Sequence, residues 1–188
     1  MLAIRSAAAI VSTAALAAFG ALLLNEPARP ALSPLQGGAL QKPIPPATCP
    51  ITQPPSEPFV PAAPYPTKHS EATSFWLGSE KLWTLRPIDG LWYGLRTLES
   101  DSGHEIYRDK VFWWRKGYDW RTENPPQLKV TGKRLDAPAP ALYPERANPA
   151  FMKIPAIVTG INIPTVGCWE ITGDYKGDKL TFVVWVVP

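Results

Sequence analysis

Alternating apolar and polar residues are clearest at the C-terminal end of the chain. Residues 167–173 (GCWEITG) and 180–187 (LTFVVWVV) are rich in β-branched and aromatic side chains, and the polar stretch 174–179 joins them. This stretch contains a glycine, which can adopt positive φ at no steric cost, so the pattern predicts a β-hairpin. We therefore expect the chain to end in two antiparallel strands.

The period of two assigns the side chains of this hairpin to opposite faces. Four side chains form the more apolar face and should pack into the core: Trp169, Ile171, Phe182 and Val184. Cys168 and Glu170 then lie on the outer face.

Shorter strand-like runs, separated by glycine, proline and polar turns, precede the hairpin. They cover residues 74–77, 81–85, 91–95, 106–115, 127–135 and 156–163. The polar stretch 96–105 is predicted to be a loop, and the proline-rich stretch 137–149 is predicted to be extended and irregular. Short strands at this spacing indicate an all-β fold, and we predict an immunoglobulin-like β-sandwich of about seven or eight strands over residues 73–188. A parallel α/β fold is excluded, because it needs crossover helices.

The N-terminus is typical of an export signal. A segment with one positive charge, residues 1–5, precedes an uninterrupted small and apolar run over residues 6–24. Small residues at positions 18, 20 and 21 suit a signal peptidase, but the run is also close to the length of about 20 residues that spans a bilayer. We therefore predict that residues 1–24 form an apolar helix, either a cleaved signal peptide or a retained anchor, and that the protein reaches the periplasm or cell surface.

Residues 25–72 are dominated by proline, since 13 of the 23 prolines fall between Pro27 and Pro66. Proline donates no backbone N–H and pushes the preceding residue toward extended conformations. We predict a semi-rigid linker that holds the domain away from a membrane or wall. The alternative is a proline-rich ligand for a partner.

The chain contains two cysteines, Cys49 and Cys168. In an exported protein they most simply form one disulfide, and two separate buried thiols are the alternative. Because Cys49 lies in the proline-rich segment, the bridge would fasten the second half of the linker to the outer face of the sheet.

Several of these motifs together resemble a group of exported bacterial proteins of uncharacterised role. They are residues 164–173 with 180–184, the stretch 133–140, the stretch 81–84, and Cys49 with Pro50. The resemblance covers most of the chain beyond residue 48 and implies a secreted protein or a lipoprotein, although this chain lacks a lipid-bearing cysteine after its apolar run. The last two strands also resemble the closing pair of immunoglobulin-like bacterial domains. The resemblance brings no catalytic residues.

Glu170 is predicted to make a structural ion pair with Arg134 or another base. The structural set is therefore Cys49, Cys168, Trp169, Glu170 and Arg134. No second acid is placed beside Glu170 by spacing, so the pattern does not indicate a two-carboxylate glycosidase.

Residues 107–121 are the stretch most typical of a binding surface, because aromatic rings alternate there with five basic residues. Rings stack on sugars, and guanidinium groups pair with anionic glycans or lipid head groups. The candidate contact residues are Tyr107, Arg108, Trp113, Trp114, Arg115, Trp120 and Arg121. The alternative is structural: the apolar residues 111–114 would form a strand buried on both faces, with charges at its ends.

The other side chains do not specify a reaction. His69 and His104 have no second metal ligand at useful spacing, no phosphate-binding glycine loop is present, and we expect no cofactor and no metal. The net charge of +3 is too small for a dedicated nucleic-acid binder.

We therefore expect a non-catalytic envelope module with a binding or structural role. Its partner would be a glycan or an envelope surface, with membrane contact only through the N-terminal segment. The alternative is an envelope enzyme whose site is assembled from dispersed loops, with Glu170, Asp136, Arg134 and His104 as its candidate polar residues.

Overall fold

The computed structural model describes residues 42–65, 67–93, 96–99, 105–150 and 155–188. These residues form strands in two sheets, and the predicted all-β sandwich is confirmed. The described part of the chain contains no helix that is long and apolar enough to cross a bilayer. The predicted signal or anchor, residues 1–24, and the first part of the predicted linker lie outside the described residues.

The described strands are numbered in chain order. They are β1 (Ser74–Ser79), β2 (Leu82–Pro87), β3 (Leu91–Trp92), β4 (Arg96–Glu99), β5 (Glu105–Trp114), β6 (Leu128–Arg134), β7 (Tyr143–Pro144), β8 (Asn148–Ala150), β9 (Ala156–Ile163), β10 (Gly167–Tyr175) and β11 (Asp178–Val186). Sheet A has the order β1-β2-β5-β9-β7, with β4 beside β5 and β8 beside β9. Sheet B has the order β3-β11-β10-β6.

The terminal hairpin forms β10 and β11 in the predicted register of faces. Trp169 pairs with Val184 and Ile171 with Phe182, and all four side chains belong to the main core. The turn is shorter than the predicted polar stretch, because only Lys176 (φ 55°) and Gly177 (φ 95°) separate the strands. Two consecutive positive φ values give the turn whose twist suits a tight hairpin.

Sheet A and sheet B pack together where a large ring of one sheet contacts a glycine of the other. The Trp113 indole of β5 is fully buried and lies against Gly173 of β10, where a Cβ would come within 2.6 Å of the ring. The same indole lies 5.9 Å from the Phe182 ring, measured between centroids. Close packing of this kind leaves no room for an added methyl group.

Sheet A is also apolar on its outer face. Trp76, Trp83, Trp114 and Ala156 form a second buried cluster there. Phe59 and Tyr65 pack on this cluster from the proline-rich segment. We call residues 53–65 the strap, because they lie across the outer face of sheet A.

The Cys49–Cys168 disulfide and the hydrogen bonds between Thr52 and Val183, which together we call the clamp, precede the strap along the chain. Cys49 and Cys168 form the predicted disulfide, with 5.6 Å between their Cα atoms, and Cys168 is fully buried. Next to it, the Thr52 backbone N–H donates to the Val183 carbonyl at 3.0 Å, and the Thr52 hydroxyl accepts from the Val183 N–H at 2.7 Å. The proline-rich segment is therefore bonded to sheet B before it reaches sheet A.

Two segments that were not predicted to be strands contain them. Residues 96–105 were predicted to be a loop, but Arg96–Glu99 form β4 and pair with the first half of β5. The proline-rich stretch 137–149 contains β7 and most of β8, both paired with β9. These strands are only two to four residues long, too short to show the alternation on which a strand prediction depends.

Replacing both cysteines, Cys49→Ala with Cys168→Ala, should free the strap. The bridge spans 119 residues of sequence, and a loop of this length corresponds to about 4–5 kcal/mol in the chain-entropy model. We expect a lower urea midpoint and chymotrypsin cleavage after Phe59, which the disulfide-bonded protein resists. The reduced wild type should behave like the variant, and equal protection of oxidised and reduced protein would contradict the clamp.

Gly173→Ala should destabilise the sandwich, because the new Cβ would overlap the Trp113 indole. Overpacking of this kind costs about 1–3 kcal/mol, measurable as a shift of the urea midpoint. The matched control is Thr172→Ala on the outer face of the same strand, which should cost less than about 1 kcal/mol. Equal losses in the two variants would show that the Trp113 contact is not the reason.

Candidate functional site

The predicted aromatic-basic surface does not present its rings to solvent. Tyr107, Trp113 and Trp114 are 9%, 0% and 6% exposed, and Trp120 is partly buried against the main core. Trp113 points into the sandwich, whereas Trp114 points outward and is covered by the strap. These rings do not form the flat exposed row that stacking on a glycan needs.

The basic residues of the same stretch contact neighbouring acids and rings. Arg108 pairs with Glu145 at 2.5 Å. Arg121 lies 3.9 Å from Asp119, and its guanidinium carbon lies 4.7 Å from the centroid of the Trp120 ring. Each of these contacts joins a base to a residue of the sandwich itself.

Glu123 joins the loop after β5 to the terminal hairpin. Its carboxylate accepts from the Tyr175 hydroxyl at 2.6 Å and from Lys176 Nζ at 2.5 Å, and Arg115 Nη1 lies 3.9 Å away. Burial alone would raise the pKa of Glu123, but the bonds from Lys176 and Tyr175 hold that pKa below its usual value. Burial, together with the bond to Glu123, raises the pKa of Tyr175. This cluster fixes the Tyr175 hydroxyl in its neutral, donating form.

The predicted structural residues lie beside the disulfide. Asp136 accepts from Arg134 Nε at 2.7 Å and from the Cys168 backbone N–H at 3.1 Å. The bond from Arg134 lowers the pKa of Asp136. Glu170 pairs with Lys133 at 3.3 Å rather than with Arg134. Trp169 is fully buried, and its indole N–H donates to the Thr165 carbonyl.

Arg86 places a guanidinium group inside the sandwich, where it is 8% exposed. Its carbon lies 4.4 Å from the centroid of the Phe182 ring and 5.2 Å from that of Trp92. Nη1 has no acceptor among the described residues. Burial lowers the pKa of Arg86 to about 10, so the side chain stays charged at neutral pH, and the two ring faces compensate part of that charge.

A cavity of about 280 Å³ lies between the strap and sheet A. Its aromatic lining comes from Phe59, Tyr65 and Trp83, and the Glu80 and Lys116 side chains also line it. The remaining lining residues are small or backbone-rich: Ala62, Ala63, Pro64 and Gly117. We call this cavity the strap pocket.

The rings of the strap pocket stand at large angles to one another. Tyr65 meets Trp83 edge-on, at 89° with 4.8 Å between centroids, and Phe59 is tilted from Trp83 by 59° at 5.5 Å. The Tyr65 hydroxyl donates to the Arg115 carbonyl at 2.8 Å and accepts from the Gly117 N–H at 2.9 Å. The strap therefore holds its rings as walls rather than as a stack.

Besides the Tyr65 hydroxyl, the polar side chains that line the strap pocket form one ion pair. Lys116 Nζ lies 2.8 Å from Glu80 Oε2, and both side chains are more than half exposed. The indole N–H of Trp83 is buried and has no acceptor among the described residues. The pocket thus combines aromatic walls with a carboxylate that solvent can reach.

Two larger and more open clefts lie on either side of the start of β6. They have volumes of about 570 and 350 Å³ and share Pro125, Pro126, Leu128 and Lys129 as lining residues. Neither is lined by an aromatic side chain. None of the three clefts is lined by Arg134, Asp136 or Glu170, and His104 lies outside the described residues.

In the part of the chain that the structure describes, no three His, Cys, Asp or Glu side chains come together as a metal site would require. No family model, curated protein or solved structure matches this chain.

Sequence reasoning missed the strap pocket, because Phe59 and Tyr65 lie in a stretch that reads as a linker. The available signal was these two rings among the prolines of the strap. Large apolar rings are not expected in a spacer surrounded by solvent, so they indicate that this segment packs against the folded domain.

Asp109→Asn should change how stability depends on pH. Burial raises the pKa of Asp109, and the bond from the Lys110 N–H and the charge of Arg86 only partly oppose this. A raised folded-state pKa contributes stability that is present below the unfolded value of about 3.9 and is lost as pH rises through the folded value.

The wild type should therefore lose stability relative to D109N as pH rises from about 3.9 toward neutrality. Urea midpoints across this range measure the difference. Glu57→Gln, at an exposed strap residue, is the control and should show no such trend. A difference between D109N and wild type that is constant with pH would contradict the assignment.

Proposed function

We propose that this protein is an exported, non-catalytic module of the cell envelope, an immunoglobulin-like sandwich that binds a target through its strap pocket. The observation that carries the proposal is the clamped strap. The Cys49–Cys168 bridge fixes a proline-rich segment, and that segment supplies two of the three aromatic rings that line the pocket.

The disulfide supports export, because such bonds persist in oxidising compartments and are rare in the cytosol. Export agrees with the apolar run at residues 6–24. The protein would then reside in the periplasm or at the cell surface, with residues 1–24 cleaved or retained as an anchor. The resemblance to exported bacterial proteins points the same way.

A binding role is supported by preorganisation. A wall held by a covalent bridge and by the fixed Tyr65 hydroxyl loses little freedom when a ligand arrives, and reduced ordering cost improves affinity. The candidate residues of the alternative, an enzyme, already have partners: Asp136 accepts a hydrogen bond from Arg134, and Glu170 pairs with Lys133. The strap pocket replaces the glycan-binding surface that the sequence predicts at residues 107–121, because the Tyr107, Trp113 and Trp114 rings of that surface are buried.

Export can be tested on the full chain produced with its own N-terminus in a Gram-negative host. We expect the protein in the envelope fractions, with both cysteines unreactive toward a maleimide until a reductant is added. A variant lacking residues 1–24 should stay in the cytosol with reactive thiols. Full-length protein found in the cytosol with reduced cysteines would contradict the proposed function.

A further inference from the structure

We infer that the strap pocket binds a quaternary ammonium group such as that of choline. The inference rests on the proposed binding role and names the ligand class of the same pocket. A quaternary ammonium cannot donate a hydrogen bond and is bound in proteins by the electron-rich faces of aromatic rings. The strap pocket provides the partly exposed rings of Phe59 and Tyr65, which pack on the buried Trp83.

The arrangement of these rings suits a compact cation. Tyr65 is perpendicular to Trp83 and Phe59 is inclined by 59°, so the three rings bound a corner instead of stacking on each other. Phe59 and Tyr65 are only partly buried, which leaves part of each ring open to the cavity. A cation in such a corner would contact the open parts of the Phe59 and Tyr65 rings.

The pocket also contains a carboxylate that an entering cation can reach. Glu80 supplies a carboxylate, and its partner Lys116 is more than half exposed. An exposed ion pair of this kind is weak, so an entering cation can replace the ammonium of Lys116 beside Glu80. The displaced lysine can then move into solvent or contact an anionic group of the ligand.

The size of the pocket suits a head group. The volume of about 280 Å³ is just below the range of about 300–1,000 Å³ that is usual for drug-sized molecules. The ligand could be free choline or the head group of a phosphatidylcholine membrane.

The test uses the exported full-length chain, purified in a maltoside detergent that carries no ammonium group. Titration calorimetry with choline chloride should give a dissociation constant of about 0.1–1 mM. The neutral alcohol in which carbon replaces the nitrogen of choline is the matched ligand control, and it should bind at least tenfold more weakly, about the effect expected of a cation–π site. The N-methyl proton resonances of bound choline should move upfield, because they lie over ring faces.

Two substitutions should weaken choline binding, and a third should tighten it. Phe59→Leu and Glu80→Gln should each weaken choline binding by about five- to thirtyfold. Lys116→Met should tighten it by about twofold or more, because Glu80 loses its competing partner. Phe112→Leu and Glu57→Gln, which alter a ring and a carboxylate outside the pocket, should leave binding unchanged.

Binding to lipid vesicles distinguishes the two sources of the ligand, free choline and the phosphatidylcholine head group. Retention of the protein on phosphatidylcholine vesicles, but not on phosphatidylethanolamine vesicles, with loss in Glu80→Gln, identifies the lipid head group. Binding of choline without vesicle selectivity identifies the free solute. Either outcome supports the inference.

The inference is overturned if the neutral alcohol binds as well as choline. It is also overturned if neither choline nor phosphatidylcholine vesicles bind, or if Phe59→Leu and Glu80→Gln match their controls. An exported, disulfide-bonded protein that ignores choline would refute the ligand class alone. Cytosolic protein with reduced cysteines would refute the proposed function instead.

Discussion

The apolar outer face of sheet A is the constraint on which the rest of the structure depends. A two-sheet sandwich buries one face of each sheet, and sheet B follows this rule away from the disulfide, with Thr172 and Thr181 hydrogen-bonded to each other on its outer side. Sheet A instead carries Trp76, Trp83 and Trp114 outward. Burying an aromatic side chain stabilises a protein by about 1.5–3 kcal/mol relative to leaving it exposed, so this face needs a cover.

Proline suits the segment that provides this cover. Among the described residues, the strap makes no backbone–backbone hydrogen bond to sheet A, and a buried N–H without a partner is costly. Proline has no N–H to leave unsatisfied, and it restricts the unfolded chain, which reduces the entropy lost on ordering. The disulfide and the Thr52 bonds to Val183 hold the start of this segment against sheet B. The strap pocket is the space that remains where a cover held mainly by its side chains meets a regular sheet.

The parts of the fold that could be predicted are those in which one local rule decides the outcome. The hairpin faces follow from alternation at Trp169, Ile171, Phe182 and Val184, and the disulfide follows from two cysteines in a chain for which the N-terminal sequence predicts export. β4 could not be predicted, because Arg96–Glu99 is short and polar and is ordered by pairing with β5. The same alternation applied to β5 would have placed Tyr107 and Trp113 in the core. The strap pocket was beyond prediction, because it depends on where a non-periodic segment crosses the sheet.

The sequence of the sheet A strands nevertheless indicates that this sheet must be covered on both faces. Adjacent residues of a strand point to opposite faces, so two consecutive buried apolar residues require cover on both sides. The described residues of sheet A contain four such pairs: Phe75–Trp76, Leu82–Trp83, Trp113–Trp114 and Ala156–Ile157. The strands of sheet B contain two, Leu91–Trp92 and Cys168–Trp169, but these lie on β3 and β10, which are not neighbours. The four pairs of sheet A lie on β1, β2, β5 and β9, which are neighbours in that sheet, and one member of each pair belongs to the cluster under the strap. Aligned double-apolar positions on neighbouring strands therefore identify the sheet that needs a third layer, and a proline-rich segment with its own aromatic rings is suited to provide it.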